Sequence, residues 1–156
     1  MLTVLLLILA QPPHAIPGEE AVAPYAASNA HAGATPVDDA RLFATFHGRA
    51  GIDRIVAATV AGSVADARIS DIFKAADLVR LRRTLSEQFC YLLAGPCDYT
   101  GRDMASSHKD MGLQTEDLTA LIEHLQAAMR AEGVPFGAQN KLLAKLAPMK
   151  RVIVGR

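Results

Sequence analysis

Leu92-Leu93-Ala94-Gly95-Pro96-Cys97-Asp98-Tyr99-Thr100-Gly101-Arg102-Asp103-Met104-Ala105-Ser106-Ser107-His108-Lys109-Asp110-Met111-Gly112-Leu113 separates two strongly amphipathic stretches of the chain. Gly95-Pro96 closes the helix before it, because proline has no amide hydrogen to continue the ladder. Asp103 is an N-cap for a short turn over 104–109, and Gly112 breaks that turn. Met104, His108 and Met111 are spaced i, i+4, i+7, so they share one face if the turn is helical.

Upstream, Asp77 is the expected N-cap of a helix with Leu78, Leu81, Leu85, Phe89 and Leu92 on one face. Before it, from Gly51, Ile52, Ile55, Val56, Thr59, Val60 and Val64 make one helical stripe. Asp38 or Asp39 caps a short helix with Leu42, Phe43 and Phe46, ended by Gly48. Downstream, Thr115-Glu116-Asp117 starts a helix with acids where the dipole favours them. Leu118, Leu121, Ile122, Leu125 and Met129 form its stripe; Gly133 and Pro135 end it. A last helix carries Leu142, Leu143, Leu146 and Met149, with Pro148 kinking or ending it. No stretch alternates with period two. The expected fold class is therefore all-α, with four substantial helices and two short ones over 38–156, packed helix on helix.

The remainder reads differently. Met1–Ala10 is almost wholly apolar, but ten helical residues cover only about 15 Å, so they make no membrane span. The stretch has the length of a signal-peptide core, although no Lys or Arg precedes it. Residues 1–15 are thus a signal peptide or an apolar leader. The first case implies export, periplasmic or secreted; the second leaves the protein in the cytoplasm. Residues 11–37 hold five of the eight prolines and eight alanines without apolar periodicity. Composition predicts a disordered Ala/Pro-rich linker over 16–37.

Totals exclude several classes. The 156 residues suit one domain, 51% apolar and 21% charged. Sixteen basic residues balance sixteen acidic ones, which argues against a nucleic-acid partner. With no Trp and eight Phe plus Tyr, a base-stacking platform is poorly supplied. Cys90 and Cys97 fit no zinc spacing and make no disulfide framework; they could pair after export, but Cys90 reads first as a small core residue. No phosphate loop, nucleophile elbow or H-E-x-x-H is present. Among the histidines, His14 and His31 fall in the linker and read as inert. His47 reads as a surface residue, and His124 as a boundary residue bonded to a carbonyl. His108 carries two readings. One is a partly buried histidine. The other is an axial ligand to a haem iron, since a neutral imidazole binds iron and apolar surroundings suit porphyrin.

LLAGPxxYTGRDM, three residues, His108, three residues, then Gly112-Leu113-Gln114-Thr115, resembles the group I truncated haemoglobins. Glu123-His124-Leu125, Gly133-Val134-Pro135 and Leu146-Ala147-Pro148-Met149 extend the resemblance over about 42–152. It implies a two-over-two helical sandwich holding one haem b. His108 falls on the family's proximal iron ligand, Phe73 on a porphyrin-packing Phe, and Leu81 and Leu85 on the distal helix. Phe89 falls near a ligand-access tunnel. Thr84, Arg80 and Lys109 are candidates for the propionates, and Met104 and Leu118 complete the expected haem contacts. The departures are on the distal side. The family's Phe-Tyr pair is Thr59-Val60 here, and a frequent Gln is Leu85. Its two Gly-Gly pairs are His47-Gly48 and Ala94-Gly95. The resemblance implies a haem protein that reversibly binds oxygen, carbon monoxide or nitric oxide in an apolar distal pocket. The alternative is a haem-dependent redox enzyme, a nitric oxide dioxygenase or peroxidase-like, served by a separate electron donor.

Overall fold

The computed structural model describes residues 16–155; the apolar leader and His14 lie outside them. Among the described residues every regular element is helical. The α-helices are α1 (Arg41–Thr45), α2 (Gly48–Ala65), α3 (Leu78–Leu92), α4 (Met104–Ser107), α5 (Thr115–Ala131), α6 (Phe136–Leu146) and α7 (Lys150–Ile153). Short 3-10 turns cover Asn29–Ala32, Ser70–Phe73 and Ala147–Met149. The last is the Pro148 interruption that the sequence predicts between α6 and α7.

α2 is the centre of the sandwich, packed against α5 on one side and α3 on the other. Its stripe explains this: Ile52, Ile55, Val56, Thr59 and Val60 are buried as expected, but Ser63 takes the last buried place and Val64, expected on the stripe, is exposed. Around it lie Phe89, Cys90, Leu92 and Leu93 from the end of α3, Leu125 and Met129 from α5, and Leu142 from α6. Each such aliphatic side chain contributes about 1.5–3 kcal/mol by leaving water. α2 begins at Gly48, three residues before the expected start, because His47 and Gly48 both take left-handed backbone. That tight turn lets the new helix start at once.

The caps of α3 and α4 follow the sequence, whereas α1 starts from Ala40 without a side-chain cap in place of the expected Asp38 or Asp39. Asp77 accepts from the Arg80 amide at 2.9 Å and Asp103 from the Ser106 amide at 2.9 Å. Asp117 accepts from the Gln114 amide at 2.8 Å, at the head of α5. Just past the end of α3, Ala94 takes φ 59°, while the Gly95 amide donates back to the Cys90 carbonyl. Gly95 is needed for clearance instead: a Cβ there would lie 2.5 Å from the Phe43 ring and 2.7 Å from Cys90 Sγ. Cys90 and Cys97 form a disulfide, so the expectation of an unpaired core cysteine is half right. Cys90 is fully buried, and it is also bonded. Spacing alone did not show that the turn at Ala94 folds the chain back on α3.

The largest correction concerns 16–37, which is packed on the domain rather than disordered. The segment runs back along α3. Glu19 pairs with Arg80 (3.2 Å) and Arg83 (3.0 Å). The Glu20 amide donates to Asp77, and Tyr25 donates to the Thr100 carbonyl while its ring lies 5.0 Å from the Arg102 guanidinium carbon. Asn29 bonds Asp98 and the Tyr99 amide, Ala32 is fully buried, and Val37 donates to the Leu92 carbonyl. Composition counts only apolar burial. This strap is held largely by ion pairs and hydrogen bonds to residues far along the chain.

Candidate functional site

The site is organised by α4 and the loop before it. The disulfide anchors Cys97 to α3, and Tyr99, 4% exposed, donates its hydroxyl to the Arg102 carbonyl at 2.9 Å. Burial pushes the Tyr99 phenol up to about 12, so it stays a neutral donor. Glu87 of α3 accepts from the Thr100 amide and hydroxyl. The loop is thus tied to α3 before α4 begins, and α4 delivers His108 at its C-cap.

The His108 ring nitrogen Nδ1 lies 2.8 Å from the Met104 carbonyl, one turn earlier. A carbonyl only accepts, so Nδ1 carries the proton and donates. The Nε2 lone pair is then available to a metal, and the ring is oriented by its own helix. His108 is half-buried. On α3, Leu78, Leu81 and Leu85 share a face; they are half-buried, pack on the edge of the core, and are joined there by Ile72, Met104 and Ile122. Phe73, at the end of its 3-10 turn, and Leu118 of α5 are half-buried as well. One imidazole oriented through Nδ1, together with large apolar side chains left only half covered, is a donor set that fits a haem.

The other expected positions sort clearly. Val60 and Phe89 are core residues, 1% and 5% exposed. The Thr84 hydroxyl donates to the Arg80 carbonyl at 3.0 Å. Arg80 pairs with Glu19 and Asp77, and Lys109 lies in solvent beside Asp110. Thr59 donates to the Ile55 carbonyl at 2.8 Å, and Gln88 to the Ala32 carbonyl at 2.8 Å. Thr59, Thr84 and Gln88 are therefore each engaged with backbone. The Met104 side chain turns toward Gln88 and Gly33, so its link to His108 is its carbonyl. His47 pairs with Glu132 at the surface. His124 bonds the Asp66 carboxylate at 2.8 Å, not a carbonyl as expected. Arg68, with His124, holds the Asp66 carboxyl well below the usual carboxylate range. His31, read as inert, lies against the body with Nδ1 buried.

The family model for bacterial-like globins matches residues 42–154. The chain belongs to that family. Within it, this globin is of the truncated, group I kind. A group 1 truncated haemoglobin of Tetrahymena pyriformis is 29% identical over 93 residues, 60% of this chain and 77% of that protein. The group 1 truncated haemoglobin GlbN of Mycolicibacterium paratuberculosis is 31% identical over 86 residues, 55% of this chain and 63% of that protein. The crystal structure of the T. pyriformis truncated haemoglobin in its Fe(III) form superposes with a TM-score of 0.70 at 25% identity, covering 74% of this chain and 98% of that one. The shared part starts at α1, so the globin's strap over 16–37 precedes the matched region. Globins are haem-binding proteins that take a diatomic gas, and the fold and His108 agree with that. No helix among the described residues is long and apolar enough to cross a membrane.

Proposed function

We propose that this globin would hold one haem b through His108 Nε2 and would reversibly bind a diatomic gas at that haem. The observation that carries this is the 2.8 Å contact between His108 Nδ1 and the Met104 carbonyl, which fixes the proton and frees the other nitrogen. When bound, the haem supplies an iron with one open coordination position. The chain's own residues do the rest. Phe73, Leu81, Leu85 and Leu118 offer apolar surface to the porphyrin and exclude water, and the buried Val60 and Phe89 complete that apolar wall. Thr59, Thr84 and Gln88 stay bonded to backbone carbonyls, so these three side chains are not free to donate to the gas. This favours gas binding over the redox-enzyme reading, which needs a group to steer oxygen. A disulfide supports a further proposal, that the protein works in an oxidising compartment after loss of residues 1–15. Intact-mass measurement of the native protein checks it, and a full-length cytosolic form overturns it.

The test of the haem assignment is visible absorption of purified protein, ferric and ferrous, with and without carbon monoxide. His108→Ala is expected to lose stable haem retention, whereas His124→Ala keeps it. An alanine variant at 108 with an unchanged ferrous spectrum overturns the assignment.

A further inference from the structure

A cavity of about 220 Å³ opens between the strap and the end of the chain, and none of His108, Phe73, Leu81 or Leu85 lines it. Its walls include His31, Asp103, Met104 and Met149. His31 Nδ1 is buried there without a hydrogen-bond partner among the described residues. A buried polar nitrogen left unsatisfied is costly and calls for an explanation. Two thioethers converge on the same place. Gln88 Nε2 lies 3.5 Å from Met104 Sδ and 3.7 Å from Met149 Sδ, so both sulfurs share one neighbour. The strap reaches them through Gly33, at φ +86°, where a Cβ would stand 2.9 Å from Met149 Sδ and 3.0 Å from Met104 Cγ. Only glycine lets the turn carrying His31 come this close to the sulfurs.

We propose that His31, Met104 and Met149 form a binding site for a soft monovalent cation, Cu(I). One imidazole and two thioethers are neutral, polarisable donors of the kind that selects Cu(I) over harder ions. A singly charged ion costs less to bury than a divalent one, and the Asp103 carboxylate on the cavity wall offsets its charge. The Ser106 amide and hydroxyl both donate to Asp103, which fixes its carboxylate on that wall. A zinc-type site does not compete, since no group of three His, Cys, Asp or Glu able to hold a metal occurs among the described residues. The three ligands come from the strap, the start of α4 and the 3-10 turn before α7. Binding therefore staples the strap to the body, while Gln88 keeps its bond to Ala32.

The experiment is anaerobic titration of the purified full-length protein with Cu(I) against a chromophoric Cu(I) chelator, followed by X-ray absorption at the copper edge. One equivalent should be retained, with sulfur and nitrogen in its first shell. Met149→Leu preserves volume and fold. It and His31→Ala should each weaken binding by at least about 10- to 100-fold, the loss that removal of even an outer-shell partner brings. Helical circular dichroism confirms that both variants are folded. Wild-type protein that retains no Cu(I), or variants that bind it as wild type does, overturn the proposal. The readout is copper, so a failed haem assignment leaves it interpretable.

Discussion

The side-chain amide of Gln88 donates to the main-chain carbonyl of Ala32 across 2.8 Å, and both residues are buried. Replacing Gln88 by Leu leaves that carbonyl without a donor inside the protein. Such a group costs about 1–3 kcal/mol, and equilibrium denaturation should show a loss of that size. Hydrogen exchange should quicken at 29–33. Oxygen release from the haem-loaded protein should stay unchanged in Gln88→Leu and in Thr59→Val, because both donors already serve backbone. Slow wild-type release that collapses in either variant would show that a polar donor works on the distal side.

Val60 marks where a donor could be introduced. Dioxygen becomes polarised at a ferrous haem and gains about 1.5–3 kcal/mol from a hydrogen-bond donor, while carbon monoxide gains little. Val60→Tyr should slow oxygen release by roughly 10- to 150-fold, since 1.4 kcal/mol is tenfold. Carbon monoxide release should change much less. Stopped-flow dissociation of both gases decides; equal slowing of the two would point to steric closure instead.

The disulfide closes a short loop, its cysteines seven positions apart. Chain-entropy reasoning gives such a loop about 2–3 kcal/mol. Denaturation with and without a reductant should differ by that much. Reduction should also speed exchange at Tyr99 and Thr100, whose loop the bond anchors. Identical curves would mean the loop is held by Glu87 and Tyr99 alone.

Among the described residues six carboxylates are held below their usual values, Asp39, Asp77 and Asp103 being three of them. Arg83 holds Glu19 below its usual value, Arg68 with His124 does so for Asp66, and Arg54 with His47 holds Glu132 at about 2. Depressed folded values mean that these groups stabilise the protein above their unfolded values of about 4. That stabilisation falls as pH drops through the folded values. Denaturation midpoints should therefore fall between about pH 4 and 2, and Glu132→Gln should flatten that slope. An unchanged slope in the variant would assign the acid sensitivity elsewhere.

The helices were legible because their stripes and caps are local. Ile52, Ile55, Val56 and Val60 announce a buried face by spacing alone, as Asp77 and Asp103 announce helix starts. His108 stood out because a short capped turn and a glycine break isolate it. The strap was not legible, because Glu19 and Asn29 are held by Arg83 and Tyr99, partners that no period or local composition connects to them. The Ala94 turn that brings Cys97 back to Cys90 was hidden for a related reason: its left-handed residue is an alanine. The convergence of His31, Met104 and Met149 had no local signal either, since it exists only once three distant segments meet.

The strap's partners also impose an order of events. The Glu20 amide waits for Asp77, the Ala32 carbonyl for Gln88, and Tyr25 for Thr100, separations of 57, 56 and 75 residues. A chain emerging from the ribosome exposes 19–33 long before α3 and the loop after it, which carry these partners, have been made. Contacts so distant in sequence form late, after the helices have paired. The first described residues are thus the last to dock. Until then they remain open to any enzyme that reads or trims an N-terminal segment, and docking withdraws that access.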